Sequence, residues 1–234
     1  MTKIYIVIPT YNEARNIGKL IEAILSLPGN EFNILVVDDN SPDGTGQLVE
    51  TIKQRYSQVD VLHRQQKAGL GRAYVAGFKE VLARGADYII QMDADWSHDP
   101  KYLPALLGIV KQADVAVGSR YIQGGGSSGW PLRRRLISAF GNTYARLILG
   151  LPLRDLTGGF RCYRRAVLET IGLDSLDSIG YCFQIETIYQ TYRHGFKITE
   201  TPIIFVNRAS GSSKLSVNIF IESFWKVLRL RFKS

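Results

Sequence analysis

Two aspartates separated by one residue, Asp93 and Asp95 in the stretch QMDADWSHDP, have a spacing that suits metal chemistry. They follow the apolar run DYII, so a strand that ends here would direct both carboxylates into one cleft. The two carboxylates repel each other unless a cation lies between them, and Mg2+ and Mn2+ prefer oxygen ligands and often bridge phosphates. The spacing therefore favours a divalent-metal site. A plain strand-end turn is the alternative, because Asp is common in turns.

A second acidic group follows another apolar run, in VVDDNSPDGTG. Asp38 and Asp39 lie at the end of that run, so up to four carboxylates are predicted to meet at one edge of a sheet. A turn and a helix N-cap account for the four polar or small residues that come next, Asn40, Ser41, Asp43 and Gly44. Asp39 has a different predicted role. Beside a bound nucleotide, its carboxylate would accept hydrogen bonds from ribose hydroxyls or a base edge.

An alternation of strands and helices must position these side chains. Segments with helical spacing, such as the one carrying Ile17, Leu20 and Ile24, separate the apolar runs. The runs predicted as strands are KIYIVIP, FNILVVDD, VDVLHR, DYIIQMD and ADVAVGS. Nearly continuous Val/Ile/Leu strands that alternate with helices predict an α/β doubly wound, mainly parallel sheet, which we expect to extend to about Arg120. Ligands of such sheets bind beyond the carboxyl ends of the strands, where the acidic groups fall.

The alternation weakens after Arg120. The run GGGSSG, Gly124 to Gly129, has the composition of a mobile loop, and KITETPIIFV is strand-like. Helices are predicted from Leu136 to Leu149, from Tyr181 to His194 and from Val217 to Phe232. We expect one domain over residues 1–234, with amphipathic helices in its C-terminal part.

Composition excludes some classes of function but does not select one. The 234 residues carry a formal net charge of +8, which favours a polyanionic partner such as nucleic acid, an anionic membrane surface or a phosphorylated substrate. No apolar run approaches the ~20 residues of a membrane span, and the N-terminus lacks the features of a signal peptide. We therefore expect a cytosolic or peripheral protein. Its two cysteines, Cys162 and Cys182, are expected to be reduced thiols.

An ordered set of motifs resembles a known family. The segments IPTYNE, VVDDNSPDGT, KAGLGRAYVAGF, MDADWSHDP, VGSRY, GFRCYRR and FVNRASGSSK follow one another along nearly the whole chain. Their order is similar to that in the polyprenol- or dolichol-phosphate mannose synthases, inverting family 2 glycosyltransferases with a GT-A fold. The chain resembles the single-domain type without transmembrane helices. The resemblance implies a nucleotide-sugar-binding half, residues 1–120, and an acceptor-binding and membrane-facing half, residues 121–234.

The resemblance also implies roles for individual residues. Asp93 and Asp95 would hold Mg2+ or Mn2+ and, with Ala94, the donor diphosphate, whereas Ser97 stands where some members have a Gln ligand and is a poorer third ligand. Arg208 and Lys214 would reach the donor phosphates from a closing loop. The nucleoside of the sugar donor would be held by Pro9, Tyr11, Glu13, Val37 and Asp39.

The implied reaction joins a sugar to a lipid phosphate. A phosphate oxygen attacks the anomeric carbon with inversion, and Arg120 and Arg134 match family positions that hold the acceptor phosphate. Arg120, Arg134 and Asp95 are thus the candidate catalytic residues. GDP-mannose is the implied donor, and UDP-glucose for a lipid-phosphate glucosyltransferase is the rival. The implied setting is peripheral, at the cytoplasmic face of a membrane, with a small membrane-anchoring subunit as a further partner.

Two other classes remain as alternatives. A sugar-nucleotide pyrophosphorylase would also need aspartates and a divalent ion, but its Gly-rich basic loop is not found after the first strand, which runs into PTYNE. A non-catalytic basic module is the other. Nucleic acid is not expected as the partner, because the basic residues are scattered rather than interleaved with aromatics on one face. The Val217–Phe232 helix, with its wide apolar arc, is instead predicted to contact a membrane.

Overall fold

The computed structural model describes residues 2–29, 31–176, 181–207 and 217–232. Over these residues, strands and helices alternate as predicted. The strands are β1 (Ile4–Thr10), β2 (Phe32–Asp38), β3 (Val59–His63), β4 (Tyr88–Gln91), β5 (Val115–Ser119), β6 (Gly126–Ser128), β7 (Arg161–Arg164), β8 (Ile198–Pro202) and β9 (Ile204–Val206). The helices are α1 (Ile17–Leu25), α2 (Thr45–Lys53), α3 (Leu70–Ala83), α4 (Leu103–Val110), α5 (Leu132–Leu149), α6 (Arg165–Thr170), α7 (Tyr181–Arg193) and α8 (Val217–Phe232).

Seven strands form one sheet in the order β3-β2-β1-β4-β7-β5-β8. The pairs β1–β2, β1–β4, β2–β3 and β5–β8 are parallel, whereas β7 runs antiparallel to both of its neighbours. The register places Pro9 opposite Val37 and Thr10 opposite Asp38. β1 and β2 therefore end at the same level, and the loops that follow them start at the same edge of the sheet.

Successive residues of each strand point to opposite faces, and both faces are buried. In β1, Ile6 and Ile8 pack in the cluster that contains Ile17 and Leu20 of α1, whereas Val7 packs in the cluster that contains Phe78 of α3. Helices on both faces of a mainly parallel sheet confirm the doubly wound prediction. The inner strands β1, β2 and β5 are accordingly rich in Val, Ile and Leu, because both of their faces are buried.

The sheet continues past Arg120, so the prediction that it ends there was wrong. β7, in the segment GFRCYRR, lies between β4 and β5, and β8 forms an edge. Strands from residues 1–120 and from residues 121–234 therefore share one sheet. β7 has four residues, and its sequence RCYR lacks a long apolar run. It is recognisable as a strand only from its tertiary pairing.

The loop prediction for Gly124 to Gly129 was wrong for Gly126–Ser128, which forms β6. This strand pairs in parallel with β9 in a separate two-stranded sheet. The predicted strand KITETPIIFV is thus divided: β8 joins the main sheet and β9 joins β6. A Cβ on Gly125 would lie 2.5 Å from the carbonyl oxygen of Ser119, so the close approach of two backbones explains a glycine that composition alone assigns to a loop.

The helices after Arg120 were predicted with small errors in their bounds. α5 begins at Leu132, four residues before the predicted start, with Pro131 as its N-cap residue. α7 and α8 match their predicted extents to within one residue. Within the described parts of the chain, no helix is both long enough and apolar enough to cross a bilayer.

Candidate functional site

The first loops after β1, β2 and β4 share an uncommon backbone conformation. Asn12, Asn40 and Trp96 have φ angles of 62°, 57° and 62°, and within the described ranges they are the non-glycine residues with positive φ. Side chains destabilise this conformation, most of all bulky ones such as Trp, so surrounding contacts must hold it. Asn tolerates this conformation, so the strain lies mainly at Trp96, and all three residues follow strand ends, where ligands of such sheets bind.

Asp38 organises the loop after β2. One of its carboxylate oxygens accepts hydrogen bonds from Thr10 Oγ1 (3.0 Å) and Ser41 Oγ (2.6 Å), and the other accepts one from the Ser41 backbone N–H (3.0 Å). The side chain is buried. Asp38 therefore joins the β1 and β2 loops to each other.

Asp43 and Thr45 also link the loop after β1 to the loop after β2. Asp43 accepts hydrogen bonds from the backbone N–H of Ala14 and from the backbone and hydroxyl of Thr45. Thr45 Oγ1 in turn accepts the Glu13 N–H at 2.9 Å. This turn role agrees with the sequence analysis. Gly44, the N-cap residue of α2, provides no side-chain cap and has φ 84°.

Asp39 is paired with an arginine that sequence reasoning missed. Arg64 Nη1 donates to Asp39 Oδ1 at 2.6 Å, and the Asp39 side chain is 6% exposed. Burial raises the pKa of Asp39 above its ordinary value, and the charge of Arg64 only partly offsets that effect. Arg64 follows β3 directly, so the rule that ligands bind at the carboxyl ends of parallel strands would have identified it.

The five residues predicted to hold a nucleoside come from the same two strands and the loops that follow them. Pro9 and Val37 are buried neighbours in the register, and Tyr11 and Glu13 follow β1. The Tyr11 ring is 37% exposed, and Lys67 Nζ lies 3.5 Å from its centroid. Lys67 is a second basic residue that the sequence analysis did not select. The corner of the sheet thus presents an aromatic face, a carboxylate and two cations.

Asp93 is fixed from two directions. The Tyr74 hydroxyl donates to Asp93 Oδ1 at 2.6 Å, and the Asp93 backbone N–H donates to His98 Nδ1 at 3.1 Å. Burial, reinforced by Asp93 itself, raises the pKa of Tyr74 well above its ordinary value, so the phenol keeps its proton. Burial lowers the pKa of His98 despite the nearby carboxylates. A neutral imidazole agrees with Nδ1 as the acceptor.

Asp95 is buried and accepts hydrogen bonds from the backbone N–H and the hydroxyl of Ser97. Ser97 therefore supports Asp95 directly, and its hydroxyl is committed to that carboxylate. Two fixed carboxylates are hard oxygen donors that fit Mg2+ or Mn2+. Among the residues with described positions, no group of three or more His, Cys, Asp or Glu side chains could hold a metal. Such an ion would complete its coordination with water or substrate oxygens, as Mg2+ usually does.

Arg120 is part of a buried ion pair with Asp155, a residue absent from the predicted site. Its Nε and Nη2 donate to the two carboxylate oxygens at 2.8 and 2.7 Å, and Nη2 also donates to Thr157 Oγ1. Burial would raise the pKa of Asp155, but Arg120 and backbone N–H groups outweigh it and the pKa is lowered. Arg120 is thus a rigid cation whose orientation is set by Asp155.

Arg134 and Arg120 both lie close to the same aromatic residue, Trp130. The Arg134 guanidinium carbon is 4.0 Å from the Trp130 ring centroid, and that of Arg120 is 5.4 Å from it. Phe205 of β9 contacts Trp130 edge to face and also contacts His98, with centroid distances of 5.3 and 5.6 Å. His98, Phe205 and Trp130 therefore connect Asp93 with the two arginines. The predicted residues Arg208 and Lys214 lie outside the described residues.

The chain is similar to known proteins over most of its length. The model of glycosyl transferase family 2 matches residues 5–172. The undecaprenyl-phosphate mannosyltransferase of Micrococcus luteus is 45% identical over 97% of this chain and 93% of its own. The polyprenol monophosphomannose synthase of Mycolicibacterium smegmatis is 46% identical over 95% of this chain and 84% of its own.

Solved structures share the fold at low sequence identity. Glucosyl-3-phosphoglycerate synthase from Mycobacterium tuberculosis aligns with a TM-score of 0.69 at 19% identity, over 99% of this chain and 79% of that one. A mannosyltransferase from Pyrobaculum calidifontis, solved with GDP-Man and Mn2+, aligns with a TM-score of 0.63 at 14% identity, over 99% and 63%. Because the family model matches well over half of the residues and both curated relatives exceed 40% identity, the chain belongs to glycosyl transferase family 2 and is a glycosyltransferase with a GT-A fold.

Proposed function

We propose that this enzyme transfers mannose from GDP-mannose to a polyprenyl phosphate of the dolichyl type, with inversion and with a divalent ion, Mg2+ or Mn2+. The observation that carries the proposal is the contact chain from Asp93 through His98, Phe205 and Trp130 to Arg120 and Arg134. A carboxylate pair suited to a cation and its diphosphate is thus linked through three packed aromatic side chains to an arginine pair suited to a second phosphate.

The donor half of the proposal concerns the strand ends. Pro9, Tyr11, Glu13, Val37 and Asp39 hold the nucleoside, and Asp93, Ala94 and Asp95 face the diphosphate. Asp39 is buried beside Arg64, so it presents a carboxylate with a fixed direction to ribose hydroxyls or a base edge. The names of the two relatives at 45 and 46% identity support mannose as the transferred sugar.

The acceptor supplies its own nucleophile. A phosphate monoester has a second pKa near ~6, so it is largely a dianion at neutral pH and needs no general base. One of its oxygens forms the bond to the anomeric carbon while the bond from that carbon to the diphosphate oxygen breaks, and GDP leaves with the electron pair. Arg120 and Arg134 offset the repulsion between the two anionic substrates. When bound, the metal stabilises the charge on the leaving diphosphate as a Lewis acid.

Two further cations complete the donor side of the proposal. Arg208 and Lys214 belong to a segment that closes over the diphosphate, which the resemblance of FVNRASGSSK supports. Limited proteolysis tests this part: donor with metal should protect residues 208–214 from cleavage. Equal cleavage with and without these ligands would contradict it.

The proposed setting is peripheral, on the cytoplasmic face of a membrane, where a polyprenyl tail stays in the bilayer. Arg134 lies in the first turn of α5, and the same helix exposes Leu132 and Leu136, which are 67 and 61% exposed. An acceptor phosphate held by Arg134 would thus bind next to exposed apolar side chains of α5. A small anchoring subunit would add to this contact in cells.

The test is incubation of the enzyme with polyprenyl phosphate and Mg2+ against a panel of labelled nucleotide-sugars. The proposal predicts that label from GDP-mannose enters the lipid fraction. Preferential entry of glucose from UDP-glucose would instead establish a lipid-phosphate glucosyltransferase. Vesicle binding without transfer of any sugar would favour a non-catalytic membrane-binding module.

A further inference from the structure

Trp130 carries a polar group that the fold leaves unsatisfied. Its indole Nε1 is buried and has no hydrogen-bond partner within the described part of the chain. A buried N–H without a partner is destabilising and uncommon in folded proteins. The residue lies between β6 and α5 and directly follows Gly129, whose φ is 74°.

The neighbours of the indole are cationic. The guanidinium carbons of Arg134 and Arg120 lie 4.0 and 5.4 Å from its ring centroid. Cations are attracted to the face of an indole ring, the strongest of the aromatic partners. Trp130 is therefore a favourable neighbour for both arginines, and Asp155 separately fixes the orientation of Arg120.

A separate set of contacts fixes the indole. Phe205 meets the Trp130 ring edge to face at 5.3 Å. Asn207 accepts a hydrogen bond from Arg134 Nη1 at 2.9 Å and donates through its side-chain amide to the Gly129 carbonyl. Its backbone N–H also donates to the Ser128 carbonyl at 3.0 Å. The small β6–β9 sheet thus positions Trp130 and Arg134 together before any ligand binds.

We propose that the Trp130 indole N–H donates a hydrogen bond to the phosphate of the lipid acceptor, while its ring positions Arg134 beside Arg120, which Asp155 holds in place. The inference rests on the proposed function and extends the acceptor site to a third residue. An indole N–H is a donor only, so it suits a phosphate oxygen and adds no further positive charge. A phenylalanine would keep an aromatic ring at this position without the cost of burying an N–H.

The first test observes the N–H itself. The chain contains three tryptophans, so a protein labelled with 15N in the indole nitrogens gives three indole signals. Trp96→Phe, Trp130→Phe and Trp225→Phe variants assign them, and any two of these suffice. Titration with a short-chain isoprenyl phosphate should move the Trp130 indole proton downfield, and the matching isoprenyl alcohol should not. A Trp130 signal that stays in place while the phosphate is bound would overturn the proposal.

The second test separates the N–H from the ring. Trp130→Phe should raise the KM for the isoprenyl phosphate about tenfold, as expected for one hydrogen bond to a charged group, with little change in the donor KM. Trp130→Leu should raise it further, and the control Tyr56→Phe, at a half-exposed ring that follows α2, should leave it unchanged. If the acceptor KM rises in Trp130→Leu but not in Trp130→Phe, the ring has only a packing role, and the proposal is contradicted.

These tests also distinguish this inference from the proposed function. If the wild-type indole signal moves with isoprenyl phosphate but no nucleotide-sugar supports transfer, the proposed reaction fails and the phosphate site stands. If transfer from GDP-mannose occurs and the indole signal does not respond, the reaction stands and the role of Trp130 fails.

Discussion

At the scale of single residues, buried groups fix both of the proposed metal ligands. Asp93 accepts a hydrogen bond from Tyr74, whose ring is fully buried and stacks on Phe78 and Phe183. Asp95 accepts hydrogen bonds from Ser97. Loss of a partner that orients a metal ligand typically lowers metal affinity about 10- to 100-fold. The loop after β4 is therefore preorganised by hydrogen bonds from Tyr74 and Ser97.

Replacing Tyr74 with Phe should weaken metal binding. The ring packing is retained, but Asp93 loses the donor that orients it, and such changes cost about 10-fold or more in metal affinity. Loss of the free Mn2+ signal in electron paramagnetic resonance titrations, in the presence of GDP, measures the affinity without turnover. Tyr163→Phe is the matched control, because the buried Tyr163 hydroxyl donates to Gln91 instead. Equal Mn2+ affinities in Tyr74→Phe and wild type would contradict this role.

Asp155 links stability to pH. Its folded-state pKa is lowered, because the contribution of burial is outweighed by Arg120 and backbone N–H groups. The stabilisation is therefore present above the unfolded pKa of about 3.9 and is lost as the pH falls through the lower folded-state pKa. Asp155→Asn should reduce the free energy of unfolding at pH 7 by about 3 kcal/mol, because Arg120 stays buried without its counter-ion.

Denaturant unfolding at a series of pH values tests this prediction. The difference between wild type and Asp155→Asn should narrow as the pH is lowered from 5 towards 3. Asp174→Asn is the control, because Asp174 pairs with Lys79 at the surface and is 86% exposed. Exposed pairs contribute little, so its effect should stay near zero. A difference for Asp155→Asn that does not change with pH would show that the ion pair does not stabilise the fold.

The sequence predicted some site residues and not others for a physical reason. Asp93, Asp95 and Asp39 follow long apolar strands, so local pattern and the strand-end rule suffice to select them. Asp155 lies in a loop and pairs with Arg120, which is 35 positions away in the chain. Tyr74 likewise belongs to a helix whose apolar spacing already explains it as a core residue. Only tertiary contacts reveal the function of such residues.

At the scale of elements, the same distinction applies to strands. β1, β2 and β5 are apolar runs buried on both faces, and their composition alone predicts them. β6 has the sequence GSS, and it is a strand because β9 provides its backbone partners. The predicted wide apolar arc of α8 is divided in the structure: Val227 is buried in the core, whereas Trp225 and Phe232 are 66 and 79% exposed.

Helix α5 exposes a stripe that suits a membrane surface. The α5 stripe comprises Leu132, Leu136, Phe140 and Leu147, which recur at helical spacing and are each more than 60% exposed. The opposite face of the helix buries Asn142, Ala145 and Leu149. Tyr144 stacks on Phe224 of α8 at 4.4 Å, so the two helices lie side by side.

Removing part of the α5 stripe should weaken membrane binding. In the double variant Leu136→Ser with Phe140→Ser, two apolar side chains no longer insert, and binding to anionic vesicles should fall more than about 10-fold. Activity on a short-chain, soluble acceptor should persist. Tyr56→Ser removes a half-exposed ring that follows α2 and serves as the control in vesicle co-sedimentation. Unchanged sedimentation of the double variant would place the membrane contact elsewhere.

At the scale of the whole molecule, one edge of the sheet carries both carboxylates and arginines, and two ion pairs, Asp39–Arg64 and Arg120–Asp155, link the two kinds of group. Carboxylates follow β2 and β4, and arginines follow β5 and begin α5. Arg134 belongs to the helix that carries the α5 stripe, and the residues proposed to hold the nucleoside lie in β1 and β2 and the loops after them. Under the proposed function, this arrangement would bring a diphosphate with its cation and a lipid phosphate together from different directions. The net charge of +8 also favours approach to an anionic membrane.

The most direct measurement is the transfer of labelled mannose from GDP-mannose to polyprenyl phosphate in vesicles, with and without chelator, by wild type and two variants. Wild type should transfer only with Mg2+ or Mn2+ present. Asp95→Asn should lose more than about 100-fold in rate, because a charged ligand to the ion on the leaving group is removed. Asp99→Asn should remain active, because Asp99 caps the short helical turn before α4 and pairs with Lys101. Transfer that persists in chelator, or that is equal in Asp95→Asn and wild type, would contradict a metal-dependent site at Asp93 and Asp95.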